Sequence, residues 1–237
     1  MTIFALAFLP LLIGLGIWQL QRAAEKRAWE TAWLNSMGDL PVTEGQWLAG
    51  DGPVAFQRLR LRGAFDDRQH FLLDNRTRQG QPGYLVLSPF VSEAGRLYLV
   101  NRGWIAAPRA RADLPEVPTP DGELTVIGTF WPDTGMLPLM GEDTWSGHWP
   151  RRIQRADYDR MLAALEGPLA DVRPAAHDLE LRLEAGQPGH LAPYGGGLDA
   201  GAPRHQGYAL QWFGLALVLL IGYIYWGFRR DDTRSQH

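Results

Sequence analysis

Hydrophobic and polar positions fall into three regimes along this chain. From Met1 to Gln21 no side chain is charged, and from Gln206 to Phe228 there is again none. A hydrocarbon core about 30 Å thick takes about 20 helical residues at about 1.5 Å each, so either run is long enough to cross it. Backbone groups in lipid must bond within their own segment, which makes both runs helices. Ordinary mixed polar sequence lies between them. The pattern therefore predicts a membrane protein with two transmembrane α-helices flanking one mainly antiparallel β (α+β) extramembrane domain, both termini on the same side.

The finer pattern divides the chain further. Residues 1–21 form the first span, read as an uncleaved anchor because it lacks a basic leader and a clear small-x-small cleavage site. Residues 22–40 continue it as a helical extension, with Trp29 and Trp33 four apart on one face, ending before Pro41. Residues 41–185 form the β-rich domain, 186–204 a Gly/Pro-rich linker, 206–228 the second span and 229–237 a tail. In the domain, the alternating run Val54–Phe65 predicts a first strand. His70–Asn75, Tyr84–Phe90, Leu97–Trp104, Leu124–Phe130 and Leu179–Leu183 predict others, with Gly80–Gly83 read as a breaker before the third. Asp157–Leu165 has helical spacing and stops at Gly167-Pro168. Strands spaced this way suggest a barrel or a sandwich.

Composition narrows the function. The net charge of -3 over 237 residues gives no electrostatic footprint for nucleic acid. Lys26 is the only lysine, so the abundant arginine reads as compositional bias. The absence of cysteine excludes a redox pair, a Cys nucleophile and a thiolate copper site, while leaving the compartment open. Arg229, Arg230 and Arg234 favour a cytoplasmic tail, whereas Arg22, Lys26 and Arg27 argue the opposite orientation. Charge alone leaves the side of the domain undecided.

The sequence carries no familiar catalytic pattern. No two of His70, His148, His177, His190, His205 and His237 lie at i,i+3 or i,i+4. HExxH, GxSxG, a P-loop and GxGxxG are all missing. Gly195–Gly197 lies in the linker without a following lysine, and Asp66-Asp67 and Asp231-Asp232 read as solvated turn and tail residues. The expectation is a protein that is not an enzyme. One residue stands apart. His205 precedes the second span, with Tyr208, Ala209 and Trp212 following at i+3, i+4 and i+7 on the same helical face. Such a histidine is either a simple interfacial residue or an axial ligand to a heme iron, walled by aromatic neighbours.

Several motifs, taken in order, resemble the surfeit-locus (Surf/Shy-type) family of cytochrome c oxidase assembly proteins. Gly16-Ile17-Trp18-Gln19-Leu20-Gln21-Arg22 with downstream Lys26 looks like the family's N-terminal signature. Gly83-Tyr84-Leu85-Val86-Leu87-Ser88-Pro89-Phe90 is similar to its Gly-Tyr-x-Val-x-x-Pro strand, and Asn101-Arg102-Gly103-Trp104 to its most specific internal motif. His205-x-x-Tyr208-Ala209-x-x-Trp212-Phe213 looks like the opening of its second transmembrane helix, with Gln206 and Gln211 departing from the usual pattern.

The resemblance implies a domain facing the periplasm from a bacterial inner membrane, or the intermembrane space in the mitochondrial alternative. A chain starting almost at its first span is expected to be bacterial. It also implies an assembly factor that binds heme a through His205, with Tyr208, Trp212 and Trp18 beside it, and assists its insertion into the oxidase's large catalytic subunit. Further partners are membrane lipid and a heme-synthesis enzyme. Arg102 is a candidate partner for a heme propionate; the competing reading is that Asn101-Arg102 fastens the sheet to a neighbouring loop. Gln19 is read as an interhelical hydrogen-bonding residue. The alternative function is a scaffold that clamps an oxidase subunit or a heme-synthesis enzyme without touching heme.

Overall fold

The computed structural model describes residues 2–50, 52–132, 143–175, 179–194 and 202–234. His177, His237 and Gly195–Gly197 lie outside the described residues. In chain order the elements are α1 (Thr2–Ser36), β1 (Val42–Thr43), α2 (Glu44–Leu48), β2 (Arg58–Phe65), β3 (Phe71–Arg78), β4 (Gln81–Ser92) and β5 (Arg96–Ala106). There follow β6 (Leu124–Pro132), β7 (Arg151–Ile153), α3 (Tyr158–Ala163), a 3-10 turn (Gly167–Asp171), β8 (Arg173–Pro174), β9 (Leu179–Leu183) and α4 (Ala202–Arg234). They form two compact units, Met1–Ala32 with Gly197–His237, and Trp33–Gly196.

The first unit holds α1 and α4. Both are long and apolar enough to cross a membrane. The first span and its extension are one continuous helix, which runs through Pro10 and ends four residues short of the expected position, at Ser36. The second helix starts at Ala202, earlier than the charge-free run suggested, so His205 sits inside its first turn rather than ahead of it. Charge marks where lipid becomes hostile. It does not mark where backbone hydrogen bonding begins.

In the second unit five strands close on themselves. β2 pairs antiparallel with β6, β6 with β9, β5 with β4, and β4 returns antiparallel to β2 through Phe65↔Phe90. The one parallel step in this ring is β9 beside β5, so the sheet is mixed. Of the two architectures the spacing suggested, the pairings form a barrel. The length of β4 makes this possible: its first half, up to Leu87, pairs with β3, and its last residues, Phe90–Ser92, pair with β2. Gly63 allows the closing approach, since a Cβ there would stand 2.0 Å from Val91 O.

Alternation along the strands fills the ring. Leu59 and Leu61, Tyr98 and Val100, Val126 and Phe130, and Leu181 and Leu183 point to one buried cluster. Trp47 of α2 plugs it, its ring centroid 5.5 Å from Phe130 and 6.0 Å from Tyr98. A second cluster covers the β3–β4–β5 face, where Phe71, Leu87, Leu99 and Ile153 meet Met161, Leu165 and Leu169. Asp157 caps α3 by accepting from Arg160 N–H, so the expected helix forms but is shorter.

Two expected boundaries move for local reasons. Val54–Gln57 is not strand: Phe56 takes φ 64 and buries its ring edge-on against Trp131 at 5.3 Å, and β2 begins at Arg58. Gly80–Gly83 is not a loop either. The turn is only Gln79-Gly80, both at positive φ, and Gln81 already pairs with Arg78.

Candidate functional site

The helix unit carries the candidate site. Gly16 is buried and faces Phe213; a Cβ at Gly16 would lie 2.7 Å from two atoms of that ring. One turn further along α1, Gln19 Oε1 is 2.7 Å from His205 Nδ1. Moving forward on α1 from Gly16 to Gln19 thus moves backward on α4 from Phe213 to His205, and the helices are antiparallel. Ala209 and Ala216, seven apart on α4, are buried. Small residues permit such an approach between apolar helices, and a polar pair supplies a directional bond.

The arrangement has a defined chemistry. Gln19 Oε1 only accepts, so the contact requires Nδ1 of His205 to donate. In the neutral imidazole the other nitrogen, Nε2, then carries the lone pair. Trp18 is half exposed, with the Arg22 guanidinium 5.9 Å from its ring centroid, and Tyr208 is half exposed on α4. Trp212 is partly buried. Hydrogen bonding among the described residues therefore joins His205 to Gln19, while the rings at Trp18 and Tyr208 stand on the helix surfaces. Among the described residues no group of three or more His, Asp or Glu side chains is placed to hold a metal ion. A lone imidazole suits an iron that brings its other ligands with it, as in a heme, rather than a bare cation.

Arg102 has a different place from the one expected of a propionate partner. Its side chain is fully buried in the β unit. Nε donates to Gly189 O at 2.8 Å, Nη1 to Thr119 Oγ1 at 3.0 Å and Ser88 Oγ at 3.4 Å, and Nη2 to Pro118 O. The Phe65 ring covers it at 4.9 Å. Burial lowers its pKa to about 10, so it stays charged at neutral pH. Four of its five N–H donors are engaged inside the domain, and the fastening role is the one this geometry supports. Asn101 extends the clamp, its Nδ2 donating to Glu180 Oε1 at 2.6 Å while Oδ1 accepts from Gly103 N–H. Gly103 has φ 105, and a Cβ there would sit 2.6 Å from Ala192 O. That close approach lets Trp104 and Ala192 exchange backbone bonds of 2.7 and 3.1 Å.

Beside Arg102 lies a residue that sequence reasoning passed over. His70 is buried, with Nδ1 2.9 Å from Ser88 Oγ and Nε2 3.3 Å from Thr119 Oγ1. Burial first, and the charge of Arg102 second, lower its pKa to about 4. No local spacing relates His70, Ser88, Arg102 and Thr119; the register of β3, β4 and β5 and the loop after β5 bring them together.

Comparisons with known proteins agree on one family. Residues 6–217 match the SURF1 family. A SURF1-like protein of Rickettsia conorii is 24% identical over 224 residues, covering 90% of this chain and 85% of the relative. A SURF1-like protein of Dictyostelium discoideum is 30% identical over 112 residues, 43% of this chain and 42% of that protein. Surfeit locus protein 1 of Takifugu rubripes is 24% identical over 160 residues, 59% of this chain and 65% of the relative. The matched span includes Gln19, Arg102 and His205.

Proposed function

The chain belongs to the SURF1 family, and from that membership we propose that it is a non-enzymatic assembly factor for a heme–copper terminal oxidase, cytochrome c oxidase. In this reading α1 and α4 span a bacterial inner membrane and the β unit faces the periplasm. The chain binds heme a through His205 and assists its insertion into the large catalytic subunit. The observation that carries the proposal is the held imidazole: Gln19 occupies Nδ1 at 2.7 Å, which leaves Nε2 for iron. Heme a would bring an iron that already carries ligands of its own. His205 would hold it, and the half-exposed rings of Trp18 and Tyr208 would offer apolar faces to a macrocycle. A delivery protein must release its cargo, so a single protein ligand is an advantage.

The same bond also supports a scaffold reading, in which His205 and Gln19 merely tie the helices while the chain clamps an oxidase subunit or a heme-synthesis enzyme. Expression in cells that make heme a, followed by a spectrum of the purified protein, separates the two. Heme delivery predicts a Soret band that His205→Ala removes while the protein stays inserted. A colourless wild-type preparation would establish the scaffold.

A further inference from the structure

We propose that Gln19 is the positioning residue of this site: it fixes His205 as the Nδ1–H tautomer and so reserves the Nε2 lone pair for an axial metal bond. The inference rests on the heme-ligand reading of His205 and adds a residue to it. A free neutral imidazole carries its proton on either nitrogen, and the hydrogen bond at one nitrogen decides which is left to coordinate. Gln19 Oε1 at 2.7 Å from Nδ1 makes that decision here. An amide carbonyl suits the task because it accepts without charge, so the imidazole gains orientation and some basicity but does not become an imidazolate.

The geometry around the pair is rigid enough for this role. Gln19 projects from α1 one turn beyond Gly16, where Phe213 lies against the backbone, so the helix contact fixes the distance across which the amide reaches. His205 sits in the first turn of α4, and Ala209, one turn on, is buried without bulk. Metal-bound histidines generally pass their second N–H to an acceptor, and loss of that acceptor typically lowers affinity about 10- to 100-fold. Trp18, adjacent to Gln19 in sequence, is half exposed and makes no such bond among the described residues.

The test uses the full-length chain in detergent, first without heme. Nitrogen-15 spectra of histidine-labelled protein, assigned for His205 with the His205→Ala variant, report which ring nitrogen is protonated. Wild type should show Nδ1 protonated and Nε2 bare, and Gln19→Leu should shift His205 toward the Nε2–H form. Heme a is then titrated in. Gln19→Leu should weaken binding about 10- to 100-fold, and Gln19→Glu should restore it with a lower reduction potential, because a carboxylate gives the ring imidazolate character. A wild-type His205 protonated on Nε2 overturns the inference. So does heme binding that depends on His205 but has equal affinity and potential in wild type and Gln19→Leu; that result leaves the heme reading intact. A wild-type chain that takes up no heme overturns the heme reading, and the positioning role with it.

Discussion

Acidification should loosen the β unit over a window set mainly by His70, with His190, whose pKa burial also lowers, adding in the same direction. His70 is 3% exposed, and its pKa is lowered to about 4 from 6.5 by burial and by the nearby charge of Arg102. Asp66 and Asp67 pull the other way and are outweighed. Between those two values the unfolded chain binds a proton that the folded chain refuses, so stability rises with pH across the window and falls as pH drops through it. The difference of about 2.5 pH units corresponds to about 3 kcal/mol, present in full above the unfolded value and gone below the folded one. Glu184 acts lower on the scale. Burial raises its pKa, but hydrogen bonds from Arg58 and Thr129 more than offset this, so its contribution is lost only as pH falls below the ordinary carboxylate range. The two effects are therefore separable. The assay is urea unfolding of the full chain in mild detergent, followed by near-UV circular dichroism at intervals from pH 7.5 to 4. His70→Asn keeps a polar partner for Ser88 but cannot titrate, so it should be less stable at neutral pH and have a clearly shallower slope from 6.5 to 4.5, with His190 supplying what remains. Equal slopes for wild type and variant would refute the assignment.

Two further expectations follow from the packing. Arg102→Met leaves the carbonyls of Pro118 and Gly189 without their donor inside the domain; the penalty for stranded acceptors, partly offset by removal of a buried charge, should lower stability by about 3 kcal/mol, measured by the same unfolding curves. Gly16→Leu drives a side chain into the Phe213 ring, 2.7 Å from where a Cβ would sit; spin labels on α1 and α4 should report separated helices, and Phe213→Ala in the same chain should bring them back.

What was legible in the chain follows physical range. Charge-free runs revealed both long helices, because an apolar run of that length is a signal carried by a whole segment. Alternation revealed β2 and β9, because each buries one face in the ring, whereas β5, buried on both faces, was marked by the turn signal before it. The closure itself was not legible, since Gly63 against Val91 and Leu181 beside Val100 are encounters between segments far apart. Elements of two or three residues, such as β1, β7 and β8, are too short to show a period. The small helix α2 did leave a local mark, the reciprocal capping of Thr43 and Gln46, a pattern readable before any coordinates.

Two of the motifs that carried the family resemblance turn out to serve different ends, and this bears on where ligand chemistry belongs. Asn101-Arg102-Gly103-Trp104 spends its polarity inward: a guanidinium on carbonyls and hydroxyls, an amide on Glu180, a glycine making room for Ala192. A buried cation already surrounded by acceptors has little to gain from an external anion, because the desolvation cost is met and four of the five donors are taken. His205 is the opposite case. Only one of its nitrogens is engaged in the contact described, by an uncharged acceptor, and the ring is partly exposed. A motif of polar residues identifies a family equally well in either case. The count of uncommitted donors and lone pairs separates a fastening from a binding site, and the proposal for the imidazole of α4, held by Gln19, rests on that count.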